Sequence, residues 1–251
     1  MNTLFRVKYY FNSYWRGYAT EAWHYLRSPF VPKKKPSCRF LIFTGGRTGS
    51  TLLRTLLNSH PDIHCEGEIL KGRMLDPLRF VNSKSNQSRG RVYGFKLLSY
   101  QLRDVQHAIK DKKAFLKSLA DEGFKIIYLE RRDKKRQALS VAYAMHTDYW
   151  HDTGSGNSNK PKAAISEAQL TQLEDEIRKL TDFEKEILEG LDYRHLIYEE
   201  DLLKEDLREA TLKALFKQFG VPYRATYSPN KKVLTEQPRS LVTAVRSTSE
   251  N

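Results

Sequence analysis

The sequence predicts an α/β fold of three layers, in which helices cover both faces of a central, mostly parallel sheet. Short apolar segments typical of buried strands alternate along the chain with longer segments of helical periodicity. The first apolar segment leads directly into a glycine-rich turn and the start of a helix, an arrangement typical of a parallel strand with its crossover helix. With 251 residues, 39% hydrophobic and 29% charged, the chain has the size of one large α/β domain with extensions.

Residues 1–37 precede the predicted sheet and are expected to form a helix and a linker. Apolar or aromatic side chains recur at spacings of three and four, which predicts one helical stripe formed by Leu4, Val7, Phe11, Tyr14, Tyr18, Ala22 and Tyr25. Such a helix packs on its own domain or on a second subunit in a homodimer. Alternatively, residues 1–27 form a basic amphipathic helix that lies on an anionic membrane. Three prolines and Lys33–Lys35 predict an extended basic linker after it.

The remaining elements follow in chain order. After the first strand and helix, strands are predicted at residues 62–65, 92–98, 124–129 and 195–198, and helices at 111–122, 134–146, 166–189 and 207–219. The polar segment 82–91 is expected to be a surface loop, and the Gly-, Ser- and Asn-rich segment 152–162 a loop or lid. Residues 228–251 form a basic tail.

The turn after the first strand is the most informative stretch of the chain. It reads Thr44-Gly45-Gly46-Arg47-Thr48-Gly49-Ser50-Thr51. The N-terminus of a helix presents unpaired N–H groups and a positive dipole end, and glycines let the main chain approach an anion closely. This P-loop-like turn therefore predicts a phosphate site, with contacts from Arg47, Thr48, Gly49, Ser50 and Thr51.

The turn differs from the phosphate-binding loop of nucleotide hydrolases at one position. That loop carries a lysine after its last glycine, where this chain has Ser50. The cation lies within the turn instead, at Arg47. A P-loop kinase or nucleotide hydrolase remains an alternative, although the missing lysine disfavours it.

The parallel sheet brings further candidate residues to the same edge. Ligands of such sheets bind beyond the carboxyl ends of the strands, where the loops after Thr44, Cys65, Leu98 and Leu129 are expected to meet. The loop after Leu129 begins with Glu130-Arg131-Arg132-Asp133. It offers cations separate from those of the glycine-rich turn.

These segments resemble the sulfotransferases that use 3′-phosphoadenosine 5′-phosphosulfate. More narrowly, about residues 39–222 resemble the bacterial trehalose sulfotransferase (Stf-type) family. The motifs that carry this resemblance are Gly94-Phe95-Lys96-Leu97, Arg131-Arg132-Asp133, Arg136-Gln137-Ala138, Thr147-x-x-Trp150-His151 and Tyr198-Glu199-x-Asp201-Leu202. The resemblance implies a sulfotransferase domain over 38–227, between the extensions 1–37 and 228–251.

The resemblance also implies roles for particular residues. The turn would hold the 5′-phosphosulfate, with Arg47 stabilising the departing phosphate, and Arg132 with Ser140 would hold the phosphate on the ribose. Glu68 matches the general base, and Glu66 is the second candidate. The acceptor would be a carbohydrate or glycolipid. Independently of the resemblance, Trp150 and His151 follow the predicted helix of Ser140 and Lys96 lies near the end of a strand, so we expect these three residues to contact the acceptor. Alternatively, Trp150 is a core or dimer-interface residue.

Composition bounds the remaining alternatives. The net charge is +13, of which residues 1–39 contribute +7, so we expect the binding partners of the chain to be anionic. A nucleic-acid-binding protein is an alternative suggested by charge alone, since no reader motif is present, and we expect no nucleic-acid partner. Cys38 and Cys65 lack metal-ligand spacing and are expected to be reduced, and we expect no required metal. No apolar run spans a membrane, which favours a cytoplasmic protein or one peripheral to the membrane.

Overall fold

The computed structural model describes residues 3–147, 163–226 and 242–243, with a five-stranded sheet at its centre. Its strands are β1 (Cys38–Thr44), β2 (Ile63–Glu66), β3 (Val92–Leu98), β4 (Phe124–Glu130) and β6 (Tyr193–Ile197). The short strand β5 (Ala163–Ala164) does not belong to this sheet. The spatial order in the sheet is β2-β3-β1-β4-β6, and every neighbouring pair is parallel. β5 pairs separately with β7 (Val242–Thr243). The predicted parallel sheet is confirmed.

Helices surround this sheet. They are α1 (Thr3–Arg27), α2 (Ser50–Asn58), α3 (Pro77–Asn86), α4 (Lys112–Asp121), α5 (Lys134–Thr147), α6 (Glu167–Leu188) and α7 (Glu205–Phe219). A 3₁₀ turn covers Ser28–Phe30, and π-helical turns cover Gln101–Val105 and Tyr198–Leu202.

The core has two halves, one on each face of the sheet. Side chains of a strand alternate between its faces, and β1 shows this directly. Phe40 and Ile42 pack with α2 and α7, whereas Leu41 and Phe43 pack with α3, α4 and α6. All four side chains are fully buried. The predicted three-layer architecture is therefore confirmed.

The prediction of a loop over residues 82–91 is wrong in its first half. Residues 82–86 complete α3, whose first turn is capped by the Asp76 carboxylate accepting from Arg79 N at 3.0 Å. Val81 and Ser85 are buried side chains of this helix. Much of the surface of α3 faces solvent, so residues 82–86 are mostly polar. They contain too few apolar residues to show the periodicity by which a helix is predicted from sequence. The predicted loop 152–162 lies outside the described residues, as does the tail 228–251 except for 242–243.

The carboxyl ends of the strands meet as predicted. Thr44 lies opposite Leu98 on one side and Leu129 on the other, and Glu66 lies opposite Phe95. The connection after β1 leads toward β2, whereas the chain after β4 leads to the opposite edge. The crevice between the ends of β1 and β4 is therefore the topological switch point, where ligands of such sheets bind.

Helix α1 packs on the same domain through only part of the predicted stripe. Tyr18 and Tyr25 are half-buried, but Ala22 is exposed and Glu21 is buried. Within the described residues, no helix combines the length and apolar character needed to cross a membrane.

Candidate active site

The turn between β1 and α2 has a main chain that requires glycine at one position. Arg47 and Gly49 both have left-handed backbone angles, with φ values of 63° and 87°. A Cβ atom added to Gly49 would lie 2.4 Å from Cδ2 of the Tyr198 ring. Gly46, by contrast, has no atom of the described residues within 4 Å of an added Cβ. The Tyr198 ring therefore packs against the turn at Gly49. At Gly46 there is space for a ligand beside the main chain.

Side chains outside the turn hold it in this shape. The Thr44 and Thr48 hydroxyls lie 2.5 Å apart, and the Thr44 hydroxyl also donates to the Leu129 carbonyl at 2.6 Å. Gln137 Nε2 donates to the Gly46 carbonyl at 2.7 Å. Because the Thr48 hydroxyl is used within the turn, Thr48 could contact an anion through its main-chain N–H.

The hydroxyls that follow the turn have no such internal role. Neither Ser50 nor Thr51 makes a side-chain hydrogen bond within the part of the chain that the structure describes. They lie in the first turn of α2, where the main-chain N–H groups have no intrahelical acceptor. This end of α2 therefore combines hydroxyl donors, N–H donors and the positive end of a helix dipole.

Two arginines converge on the turn. Nε of Arg47 donates to the Ser140 hydroxyl at 2.9 Å, and Nη1 of Arg131 donates to the Arg47 carbonyl at 3.2 Å. Burial, and then the nearby charge of Arg131, lower the pKa of Arg47. A guanidinium stays charged in proteins, so the two cations repel each other and an anion between them would be stabilised.

Arg131 is a site residue to which the sequence alone gives no role. Its buried Nε has no hydrogen-bond partner among the described residues but lies 3.7 Å from Oε1 of Glu199. Its guanidinium lies over the Tyr198 ring, 5.3 Å from the ring centre. Burial lowers its pKa too. Its position directly after β4, at the edge where ligands bind, was the signal available in the sequence.

Arg132 lies beside two carboxylates, those of Glu199 and Glu200. Its side chain pairs with Glu200, and its main-chain N–H donates to Oε2 of Glu199 at 3.0 Å. The Arg132 side chain is mostly exposed. The Ser140 hydroxyl, in contrast, contacts Arg47, whose Nε donates to it. The joint role of Arg132 and Ser140 at a ribose phosphate therefore stays a prediction.

The two candidate bases lie at the end of β2 with separate partners. Glu68 accepts from Lys96 Nζ at 2.8 Å and from Gln101 Nε2 at 2.7 Å. Glu66 lies 2.9 Å from Lys84 Nζ and accepts from the hydroxyl of Tyr93 at 3.1 Å. Lys96, the predicted acceptor contact, is buried and paired with Glu68. Trp150 and His151, the other predicted acceptor contacts, lie outside the described residues.

A second unassigned residue, Glu184 of α6, lies beneath the turn. Its carboxylate accepts from the Ser99 hydroxyl at 2.5 Å and the Tyr128 hydroxyl at 2.8 Å. A Cβ added to Gly45 would lie 3.2 Å from its Oε1. Burial raises the pKa of Glu184. In the sequence it falls on the apolar stripe of α6, seven residues after Ile177 and four before Leu188.

No cluster of metal ligands appears in the described ranges: no group of three or more His, Cys, Asp or Glu side chains there is arranged to hold a metal ion. Cys38 and Cys65 are free thiols, and burial raises the pKa of Cys65 to about 12. A protonated, unpaired thiol at Cys65 agrees with the expectation that both cysteines are reduced.

No family model and no curated protein sequence matches the chain. Two similar solved structures are mouse sulfotransferase SULT7A1 complexed with PAP and the sulfotransferase domain from the curacin biosynthetic pathway. The first has 16% identity and a TM-score of 0.44, and the similarity covers 77% of this chain but 62% of that one. The second has 16% identity and a TM-score of 0.47, covering 76% of each chain. At these values neither likeness assigns an activity to this chain.

Proposed function

We propose that this protein is a sulfotransferase that moves a sulfuryl group from 3′-phosphoadenosine 5′-phosphosulfate to a hydroxyl of a carbohydrate or glycolipid. One observation carries the proposal: the anion-binding turn has its cation inside the turn, at Arg47, which is bonded to Ser140 and faces Arg131. A nucleotide hydrolase would place a lysine at the position of Ser50.

The turn would bind the 5′-phosphosulfate. Within the described ranges, the hydroxyls of Ser50 and Thr51 have no hydrogen-bond partner, and the first N–H groups of α2 have no intrahelical acceptor, which suits a phosphate-like anion. Arg47 would neutralise the negative charge that develops on the phosphate oxygen as the sulfur–oxygen bond breaks. Arg131, which donates to the Arg47 carbonyl and whose charge lowers the pKa of Arg47, would add positive charge beside the donor.

Selection of this donor over ATP requires recognition of the phosphate on the ribose. We assign this role to Arg132, with Ser140 as the second donor, on the resemblance to known sulfotransferases. Because Arg132 is exposed and paired with Glu200, it would exchange that carboxylate for the phosphate.

The acceptor hydroxyl must lose a proton as its oxygen attacks the sulfur. The new oxygen–sulfur bond forms as the bond to the phosphate breaks, and the leaving phosphate keeps the electron pair. Glu68 would take the proton, and the ammonium of Lys96 at 2.8 Å would stay beside the reacting hydroxyl. Glu66 is the alternative base. The carbohydrate acceptor, with Trp150 and His151 as contacts, rests on motif resemblance.

Ligand titration tests the proposal. Calorimetry with adenosine 3′,5′-bisphosphate, ATP and an oligonucleotide should give the tightest binding for the bisphosphate. Mass spectrometry should then detect sulfated sugar or glycolipid when donor and acceptor are supplied together. Preferential binding of ATP would favour a kinase or hydrolase, and preferential binding of the oligonucleotide would favour a nucleic-acid-binding protein. Either result would overturn the proposal.

A further inference from the structure

The outer face of α1 carries an exposed aromatic stripe. Trp15, Trp23 and Leu26 are 72%, 61% and 68% exposed, and Phe30, in the 3₁₀ turn that follows, is 87% exposed. Because successive helical residues are offset by about 100°, the three α1 side chains lie within roughly 80° around the axis. None of them belongs to the apolar stripe that the sequence predicts. Several large apolar side chains on one exposed face indicate an interaction surface for a protein, a membrane or a ligand.

The opposite face of α1 fixes this orientation. Glu21, which lies roughly opposite the stripe, is 3% exposed. Its two carboxylate oxygens accept from the main-chain N–H groups of Leu75 at 2.6 Å and Asp76 at 2.9 Å. Gly17 allows close approach, since an added Cβ would lie 2.2 Å from the Arg73 carbonyl oxygen. The helix therefore cannot turn its aromatic side chains inward without exposing a bonded carboxylate.

Exposed cations flank the stripe. Arg16 and Arg27 lie on α1, and Lys33–Lys35 follow in the linker. The Arg27 guanidinium lies 5.8 Å from the centre of the Trp23 ring. The single acidic residue among residues 1–39 is Glu21, whose carboxylate accepts hydrogen bonds from the main-chain N–H groups described above. The solvent-facing side of residues 15–39 is thus aromatic and positively charged, and the one carboxylate of this segment is buried; the exposed Asp76 lies on the Glu21 side of the helix, away from the stripe.

We propose that this face of α1 binds the surface of a bilayer that contains anionic phospholipids. Trp15, Trp23, Leu26 and Phe30 enter the interfacial region, where indole rings are favoured. The arginines and lysines contact the headgroup phosphates, each contributing electrostatic attraction. The anionic bilayer is favoured over a second copy of the chain because the stripe is bordered by cations, and two such faces would repel each other.

Flotation of the full chain with vesicles tests the proposal. The protein should float with vesicles of phosphatidylcholine and phosphatidylserine, and much less with phosphatidylcholine alone. The double variant Trp15→Ser, Trp23→Ser should lose about tenfold or more in partition constant. Its matched control is Leu207→Ser, which changes an exposed apolar side chain on α7 and should bind as the parent does.

The charge contribution is tested separately. Replacing Lys33, Lys34 and Lys35 by Gln should also weaken partition about tenfold or more, whereas replacing the exposed Lys110, Lys113 and Lys125 by Gln should leave most of it. Circular dichroism should show unchanged folding in all variants. Equal flotation of the parent and the double tryptophan variant would overturn the proposal. So would a parent that stays unbound but forms a dimer by light scattering that the tryptophan changes abolish.

Discussion

Nε of Arg47, in the turn after β1, donates to the hydroxyl of Ser140 on α5 at 2.9 Å. The bond joins two residues that the resemblance to sulfotransferases places at different ends of the donor: Arg47 at the phosphosulfate and Ser140 at the ribose phosphate. It also fixes the direction of a guanidinium whose own backbone is left-handed. The cation is therefore oriented before any ligand arrives, which reduces the cost of orienting it on binding.

Arg47→Ala should reduce turnover by about 10²–10³-fold and weaken binding of adenosine 3′,5′-bisphosphate, because charge-assisted contacts to the donor are lost. Ser140→Ala should have a smaller effect, about tenfold, since it removes the bond that orients the cation but keeps the charge. Steady-state rates and calorimetry measure both. Arg178→Ala, at an exposed arginine of α6, is the control. Equal losses in the Arg47 and Arg178 variants would contradict a role in the site.

Arg132→Ala should relax selection for the ribose phosphate. The ratio of affinities for adenosine 3′,5′-bisphosphate and ADP should fall about tenfold, because one charge-assisted contact is specific to the first ligand. Glu200→Gln should leave the affinity unchanged or tighten it a few-fold, since it removes a competing carboxylate. If the Arg132 variant keeps the parent ratio, the ribose phosphate is bound elsewhere.

The sheet and the turn could be predicted because both depend on local sequence. Phe40–Phe43 is a continuous apolar run, and such runs form the central strands of parallel sheets. Gly49 is needed for a left-handed backbone, a requirement that is local to the turn. The parallel arrangement then determines which loops meet. The position of Arg47 beside the loop after β4 follows from these features.

The partners within the site could not be predicted in this way. Glu199 caps the main-chain N–H groups of Arg132 and Asp133, although it lies in a different segment of the chain. In the sequence, Glu184 is one of many charged residues of the predicted helix 166–189, and Arg131 is one of several basic residues after the fourth strand. Sequence alone therefore does not distinguish them from residues exposed to solvent. Their roles depend on burial and on contacts between distant segments, which sequence periodicity does not report.

Glu68→Gln keeps the shape of the side chain but removes its basicity. Turnover should fall by about 10²–10⁴-fold while donor affinity changes little. Glu66→Gln is the matched control, since its carboxylate has its own partners in Lys84 and Tyr93, and its turnover should stay within about tenfold of the parent. A larger loss in the Glu66 variant than in the Glu68 variant would move the base to Glu66.

Glu184 should make stability depend on pH. Burial raises its folded-state pKa above the ordinary value of 4.5, so the folded protein binds this proton more tightly than the unfolded chain does. Its contribution to stability therefore falls as the pH rises from about 4.5 through the raised pKa. In urea unfolding, Glu184→Gln should gain stability relative to the parent across this interval. A difference between the two proteins that is constant with pH would contradict the assignment.

The pair Gly49→Ala and Gly46→Ala separates the stability of the turn from its function. Gly49→Ala forces a side chain into a backbone with φ of 87° and against the Tyr198 ring, so it should cost about 1–3 kcal/mol and lower the Tm by several degrees. In the part of the chain that the structure describes, the new Cβ of Gly46→Ala meets no atom within 4 Å, so the Tm should stay close to that of the parent. Its methyl group would instead occupy space beside the predicted donor phosphate, and binding of adenosine 3′,5′-bisphosphate should weaken. Calorimetric unfolding and titration give both quantities. A Gly46 variant that binds the bisphosphate as well as the parent does would show that the ligand does not approach the turn at this residue.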